Sequence, residues 1–265
     1  MKMKVAVVGL GLIGGSFEKA SLKAGYSVAS LHHGDVGGCS DADLIFVCLP
    51  PSAVVPWLKS HSHLIKDGAI VVDIAGVKRS IMDEFFAAFP DGTGAWRFVG
   101  GHPMAGKAVS GYANSSADLF LGASMILVPQ HSDEKLPPSL EDFFLSIGFS
   151  RVVVSSPERH DEMIAFTSQL CHMISSAYVR EDLARFHEGF SAGSFRDMSR
   201  VGAVDPDMWA ELFLSNRDEL GKVLGRYIER LVDFQIALDS CDKDRLKKAL
   251  AEGVASKAAF GREIE

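Results

Sequence analysis

The chain has 265 residues, of which 47% are hydrophobic and 23% charged. This length suffices for one large domain or two modest ones with cores of their own. The formal net charge of −7 argues against nucleic acid or an anionic membrane as partner, because both require a basic surface. The cysteines, Cys39, Cys48, Cys171 and Cys241, lack any CxxC or metal-ligand spacing, which predicts free thiols in a reducing compartment and no metal site.

The first residues, Met1-Lys2-Met3-Lys4, precede an apolar run and so resemble the start of a signal peptide. Glycines interrupt that run, however, and no convincing cleavage site follows it. No apolar stretch reaches the ~18 residues that a membrane span requires. We therefore expect a cytoplasmic protein.

Short apolar, β-branched runs predict strands at 5–8, 27–31, 43–49, 69–74, 97–100, 124–128 and 151–154. Helical patterns lie between most of them, at 12–24, 54–62, 79–88 and 139–146. This alternation predicts an α/β fold with a doubly wound, parallel, Rossmann-type sheet.

The pattern changes after Val154, where Ser155-Ser156-Pro157-Glu158 is typical of a helix start. Only helical spacing follows, which predicts an all-helical second domain and a boundary near residue 155, with domains at 1–155 and 156–265. One apolar stripe there is suited to core packing or to a dimer two-fold; it comprises Leu220, Val223, Leu224, Tyr227, Ile228 and Leu231.

The connection between the second and third strands, residues 32–42, is short and contains Gly34, Gly37 and Gly38. A parallel crossover usually contains a helix, whereas this segment has the composition of a loop. We expect the sheet to be shortened here, either by one helix or by one helix and the edge strand after it, which would leave the adenosine end of a nucleotide site open. A regular helix over 33–42 would contradict this expectation.

The stretch Gly9-Leu10-Gly11-Leu12-Ile13-Gly14 matches GxGxxG directly after a strand and at the start of a helix. In that context the glycines make a tight turn, let pyrophosphate approach and pack the helix on the strand. A dinucleotide cofactor is therefore predicted. His32 and His33 stand where an acid would bind the ribose of NAD, so either NAD or NADP remains open with a slight preference for NADP.

The segment Val99-Gly100-Gly101-His102-Pro103-Met104-Ala105-Gly106 offers one histidine in what we interpret as a Gly/Pro-rich turn. Histidine is well suited to moving a proton near neutral pH. A positioned histidine beside a nucleotide cradle suggests oxidation of an alcohol by hydride transfer.

Several ordered motifs together resemble the prephenate/arogenate dehydrogenase family of tyrosine biosynthesis, from Val5 to about Asn216. They include GLGLIGGS, LPP, DIAGVK, GGHPMAG and FRDMSR. The resemblance implies oxidative decarboxylation of a cyclohexadienol by NAD(P), with a helical domain that binds substrate and dimerises. Rival hypotheses are arogenate in place of prephenate, the 4-amino analogue of prephenate, and a dinucleotide-sensing protein without catalysis.

The resemblance also implies residue roles. His102 is expected to polarise the substrate hydroxyl, and Arg200 to grip a carboxylate through two parallel bonds. His172, with Gln169 one turn earlier on the same helix face, is expected to line the side-chain pocket and to favour the keto acid prephenate. Lys107 would add positive charge for a dianionic substrate.

Two further expectations concern the surroundings of His102 and the cofactor. Gly76 stands where many members carry a serine that orients the catalytic histidine, so a water, a backbone amide or Ser110 would have to replace that hydroxyl. Leu49, Pro50 and Pro51 are expected to contact the cofactor beside the glycine loop. The chain ends about where the helical domain of the family should end, so we expect it to lack the C-terminal regulatory domain of some members.

Overall fold

The structure, a computed structural model, describes residues 2–31, 37–107, 109–131 and 134–260. The strands are β1 (Lys4–Val8), β2 (Ser27–Leu31), β3 (Leu44–Val47), β4 (Ile70–Asp73), β5 (Arg97–Pro103), β6 (Ser124–Pro129) and β7 (Arg151–Val154). The helices are α1 (Leu12–Lys23), α2 (Pro51–His61), α3 (Arg79–Ala88), α4 (Pro138–Ser146), α5 (Pro157–Ile164), α6 (Leu170–Tyr178), α7 (Gly193–Ser199), α8 (Pro206–Ser215), α9 (Arg217–Asp239) and α10 (Lys243–Phe260). The predicted α/β fold with a helical C-terminal part is confirmed.

The described strands form one seven-stranded sheet in the order β2-β1-β3-β4-β5-β6-β7. All neighbours are parallel except β5 and β6, which pair antiparallel. The parallel sheet predicted from the sequence is confirmed, with β5 and β6 as the one antiparallel pair among the described strands. The antiparallel pairing follows from the connection 104–123. The described residues of this connection form only the 3-10 turn Tyr112–Asn114, so they lack the helix that a parallel crossover normally uses.

The predicted shortening after the second strand is confirmed within the described residues. β2 forms one edge of the sheet, and the described part of its connection to β3 contains only the 3-10 turn Cys39–Asp41. Residues 32–36, and with them His32 and His33, lie outside the described ranges.

The hydrophobic core lies on both faces of the sheet. Along β1, Val5 and Val7 join one cluster, which includes Phe17 of α1, whereas Ala6 and Val8 join the other, which includes Phe85 of α3. Alternate residues of a strand point to opposite faces, and helices cover both of them. The carboxyl ends of the central parallel strands are consequently held by packing on either side.

By internal contacts the chain divides into two compact units, residues 1–217 and 218–265. The first contains the sheet and α1 to α8. Between α5 and α6 it carries one turn of π-helix, Ala165–Gln169. The second contains α10 and nearly all of α9, which are joined by an ion pair from Arg245 to Asp233 at 2.6 Å. No helix in the described ranges is long and apolar enough to cross a membrane.

Candidate active site

The glycine loop between β1 and α1 has the geometry of a phosphate cradle. Gly9 has a φ of +88°, and a Cβ on Gly14 would lie 2.0 Å from the Gly9 carbonyl oxygen. A Cβ on Gly11, in contrast, would meet no atom within 4 Å. The turn and the helix–strand contact thus require the outer glycines, while the middle one leaves space at the positive N-terminus of α1. These residues fit the pyrophosphate of a dinucleotide.

The difference between these glycines predicts different outcomes for two matched variants. Gly14→Ala should lower the unfolding temperature, because its methyl group would overlap the Gly9 carbonyl oxygen. Gly11→Ala should fold like the wild type yet bind dinucleotide more weakly, since its methyl group occupies only the open space. Thermal denaturation and cofactor titration, measured for both variants, check this. Unaltered cofactor affinity in Gly11→Ala would contradict the predicted cradle.

The residues after β3 lie beside this loop. The Leu49 side chain would be 3.0 Å from a Cβ on Gly9, and Pro50 and Pro51 start α2. The Ser52 N–H, at the N-terminus of α2, donates to the Glu211 carboxylate of α8 at 2.9 Å. The helical part of the first unit therefore reaches the strand ends where the cofactor loop lies.

His102 lies on β5 and not in a turn, which corrects the interpretation made from the sequence. Antiparallel pairing with β6 extends the strand through the two glycines, so that His102 pairs with Ile126. Its Nδ1 is 2.9 Å from Nε2 of His160. Its Nε2 is 3.8 Å from the position that a Cβ on Gly76 would take.

His160 and Asp161, in the middle of α5, are buried next to His102. His160 Nδ1 is 2.7 Å from Oδ1 of Asp161. Asp161 also accepts the backbone N–H groups of Lys78 at 2.8 Å and Arg79 at 2.9 Å, where α3 begins. A carboxylate at a helix N-terminus is favoured by unpaired N–H groups and by the helix dipole. Asp161 therefore fixes α5 against α3 and His160 against His102.

A buried ion pair lies close to this group. The Lys78 ammonium contacts the Asp73 carboxylate, and both side chains are fully buried. Asp73 also accepts the N–H groups of Ala75 at 2.9 Å and Gly101 at 3.3 Å. Burial holds the pKa of His102 well below its usual value of 6.5, and electrostatic interactions with His160 and with the Lys78 ammonium act in the same direction. The imidazole of His102 is therefore neutral at pH 7.

The predicted substrate-pocket residues His172 and Arg200 lie close to each other. His172 Nδ1 donates to the Val201 carbonyl oxygen at 2.9 Å, and its ring packs on Trp209 with centroids 3.9 Å apart. Burial lowers the pKa of His172, the hydrogen bond to Val201 opposes this, and the charge of Arg200 adds to it. Arg200 follows the last residue of α7 and is exposed, so its guanidinium is accessible to a ligand.

The Gln169 side chain is held in the interior, although its spacing from His172 predicts a place beside the substrate pocket. Its side chain is buried, its Nε2 donates to the Leu212 carbonyl oxygen at 3.1 Å, and its Oε1 accepts from Asn216 at 2.8 Å. Asn216 also donates to the Asp161 carbonyl oxygen at 2.9 Å. Both polar ends of the Gln169 amide are thus used internally, where they join α8 to α5.

Lys107 and Ser110 are exposed and lie in the segment after β5. Lys107 Nζ donates to the Asn114 carbonyl oxygen at 3.0 Å, and the Ser110 carbonyl oxygen accepts from the Asn114 amide at 2.6 Å. In the part of the chain that the structure describes, neither Lys107 nor Ser110 is hydrogen-bonded to His102. No three His, Cys, Asp or Glu side chains within the described ranges gather as a metal site.

His160 and Asp161 are not among the site residues predicted from the sequence. A signal was present: both lie on the face of α5 that also buries Ile164. Histidine and aspartate are rarely buried without partners, so two such residues on an apolar helix face indicate a polar network.

Comparisons with known proteins agree with this arrangement. A family model described as the nucleotide-binding domain of prephenate dehydrogenase matches residues 4–153. A second model, described as the dimerization domain of prephenate dehydrogenase, matches residues 156–252. Together the two models extend over most of the chain.

Three relatives illustrate the similarity. Bacillus subtilis prephenate dehydrogenase is 29% identical, with 86% of this chain and 67% of the relative aligned. Zymomonas mobilis cyclohexadienyl dehydrogenase is 28% identical, with 97% of this chain and 95% of the relative aligned. The crystal structure of Synechocystis arogenate dehydrogenase superposes with a TM-score of 0.79 at 25% identity and covers 97% of this chain and 100% of that one.

Proposed function

The chain belongs to the prephenate dehydrogenase family of NAD(P)-dependent oxidoreductases, and we therefore propose that it converts prephenate to 4-hydroxyphenylpyruvate and CO2 in tyrosine biosynthesis. The nicotinamide, when bound, would accept the hydride that leaves the hydroxyl-bearing ring carbon. Loss of CO2 makes the ring aromatic, which supplies the driving force. The protein's task is to position the substrate and to take up the hydroxyl proton.

The observation that carries this proposal is the environment of His102. Its Nδ1 is occupied by His160, whereas its Nε2 lies on the side of Gly76, 3.8 Å from the position that a Cβ on Gly76 would take. We propose that Nε2 of the neutral ring accepts the substrate hydroxyl proton as the hydride departs. Arg200 would hold a substrate carboxylate through two parallel hydrogen bonds.

The pH dependence of kcat/KM tests this role of His102. Because a protonated ring cannot accept a proton, activity should be full above the pKa of His102 and fall as the pH drops through it. Burial lowers that pKa well below 6.5, so kcat/KM should stay level from about pH 8 past pH 6.5 and decline only in more acidic buffer. Recovery of activity after return to pH 7.5 excludes acid denaturation as the cause of the decline. An acid limb centred at or above pH 6.5 would contradict the proposal.

Arogenate is the second candidate substrate, and the hydrogen bond of His172 favours it. A carbonyl oxygen can only accept, so the His172 Nδ1 that contacts Val201 carries the proton. The lowered pKa of His172 keeps the ring neutral, and its Nε2 then offers a lone pair. A lone pair can accept from the ammonium group of arogenate but cannot donate to the keto oxygen of prephenate. His172 in this tautomer therefore does not favour the keto acid in the way that the sequence predicts.

Several finer properties complete the proposal. We assign the cofactor as NADP in preference to NAD, since His32 and His33 could donate to a 2′-phosphate. The domain boundary is placed near residue 155, and Lys107 and Ser110 are kept as residues near the substrate carboxylates. A cytoplasmic homodimer is proposed through the helical part, supported by the dimerization-domain match and by exposed apolar side chains of α9 such as Ile228, Leu231 and Val232.

The decisive experiment measures reduced-cofactor formation by the purified protein with prephenate and arogenate, each with NAD and NADP. The proposal expects turnover of prephenate, and a higher kcat/KM with arogenate would make arogenate the main substrate. Cofactor binding without turnover of either substrate would support the rival hypothesis of a dinucleotide sensor and overturn the enzymatic one.

A further inference from the structure

We infer that His160, itself held by Asp161, is a positioning residue that keeps the proton of His102 on Nδ1 and so leaves Nε2 as the proton acceptor. This inference rests on the proposed function, in which His102 acts through Nε2. It is supported by a series of hydrogen bonds from Asp161 to His160 to His102, in which each bond determines which nitrogen of the next ring carries the proton.

The series of hydrogen bonds begins at Asp161, which is almost fully buried. Its Oδ1 lies 2.8 Å from the Lys78 backbone N–H, its Oδ2 lies 2.9 Å from that of Arg79, and both N–H groups can only donate. Both oxygens of the carboxylate thus already accept from N–H groups, and a carboxylate oxygen has no proton to donate. The contact of 2.7 Å to His160 therefore requires a proton on His160 Nδ1.

The second link runs from His160 to His102. Burial lowers the pKa of His160 in spite of the opposing hydrogen bond from Asp161, so its ring is neutral and its Nε2 carries a lone pair. Nε2 must then accept across the 2.9 Å to His102 Nδ1, which places a proton on His102 Nδ1. A neutral imidazole has only one N–H, and the lone pair of His102 therefore lies on Nε2.

The contact with His160 explains how His102 can be oriented although residue 76 is a glycine. The resemblance implies a serine at this position in many members, and its hydroxyl would orient the ring from the Nε2 side. Here the orienting contact comes from the Nδ1 side, and the nearest side-chain atom to a Cβ on Gly76 is Leu212 Cδ2, at 3.3 Å. The contact at Nδ1 can therefore orient the ring while Nε2 lies on the side of Gly76.

Three substitutions of His160 separate positioning from packing. In His160→Gln the terminal amide reaches the place of Nε2, so its oxygen can still accept from His102. His160→Asn is too short for that contact, and His160→Leu fills the space without any acceptor. We expect kcat to fall about 10- to 100-fold in the Asn and Leu variants. In the Gln variant kcat should be largely retained, and KM and the cofactor dissociation constant should change little in all three.

The direct readout is the nitrogen-15 NMR spectrum of histidine-labelled protein, with the His102 signals assigned from their absence in His102→Asn. The wild type should show a protonated Nδ1 and an unprotonated Nε2 on His102, whereas His160→Leu should show a mixture of tautomers. A proton on Nε2 of His102 in the wild type would overturn the inference, even if no His160 variant folds. Wild-type kcat in a folded His160→Leu would also overturn it.

These measurements distinguish the inference from the proposed function. The NMR signature does not depend on turnover, so a protein that lacks dehydrogenase activity could still show the fixed tautomer. Conversely, an active enzyme whose His102 shows mixed tautomers would retain the proposed function and lose the role assigned to His160.

Discussion

Replacement of His102 by asparagine is expected to lower kcat by about 10²- to 10⁴-fold, the usual contribution of a positioned general base. The asparagine is neutral, like the buried imidazole, but its amide cannot take up a proton. The glycine loop is made by other residues, so the dissociation constant of the dinucleotide should not change. Steady-state kinetics and a cofactor titration of the same preparation measure both quantities.

His63→Asn is the matched control for this variant. His63 is exposed on the 3-10 turn Ser62–Leu64, which follows α2. We expect wild-type kcat from it. If His102→Asn retained activity within a few-fold of the wild type, the proposed proton acceptor would have to be another group.

Replacement of Lys78 by methionine should lower the free energy of unfolding by about 3–5 kcal/mol, because it leaves the buried Asp73 carboxylate without its cation. The substitution should also lower activity, because Asp73 accepts the N–H groups of Ala75 and Gly101. These two residues are next to Gly76 and His102 in the chain. Urea denaturation measures the change in stability.

Two further variants test whether the loss of stability in Lys78→Met comes from the unpaired buried charge of Asp73. Lys78→Met combined with Asp73→Asn should recover part of the stability, because it removes the uncompensated buried charge and the single amide oxygen can still accept from one of the two backbone N–H groups. Lys66→Met removes a half-exposed ion pair with Asp43, and its cost should stay below about 1 kcal/mol. An equal loss from Lys66→Met and Lys78→Met would show that burial of the second pair has no particular effect.

The strands and the glycine loop could be predicted because their signals are local. Each strand is a short apolar run, and Gly9, Gly11 and Gly14 follow one another in a fixed pattern. The end of β5 could not be predicted in this way. Gly100 and Gly101 suggest a turn, but pairing with β6, more than twenty residues later, extends the strand and places His102 on it.

The environment of His102 depends on contacts between residues that are far apart in the sequence. His160 is 58 residues from His102, and no periodicity joins them. For Gln169, the spacing from His172 predicts one shared helix face. The π-helical turn that ends at Gln169 and the acceptors at Leu212 and Asn216 turn its amide into the interior.

The contacts of Asp161 have a consequence for recombination between relatives. One carboxylate receives the start of α3, from the first part of the chain, and the imidazole of His160, from the second. A chimera that takes residues 1–155 from a distant dinucleotide-dependent enzyme could inherit a sound nucleotide cradle and still lack an aligned histidine. Natural exchange of the two parts should therefore preserve cofactor affinity more readily than turnover.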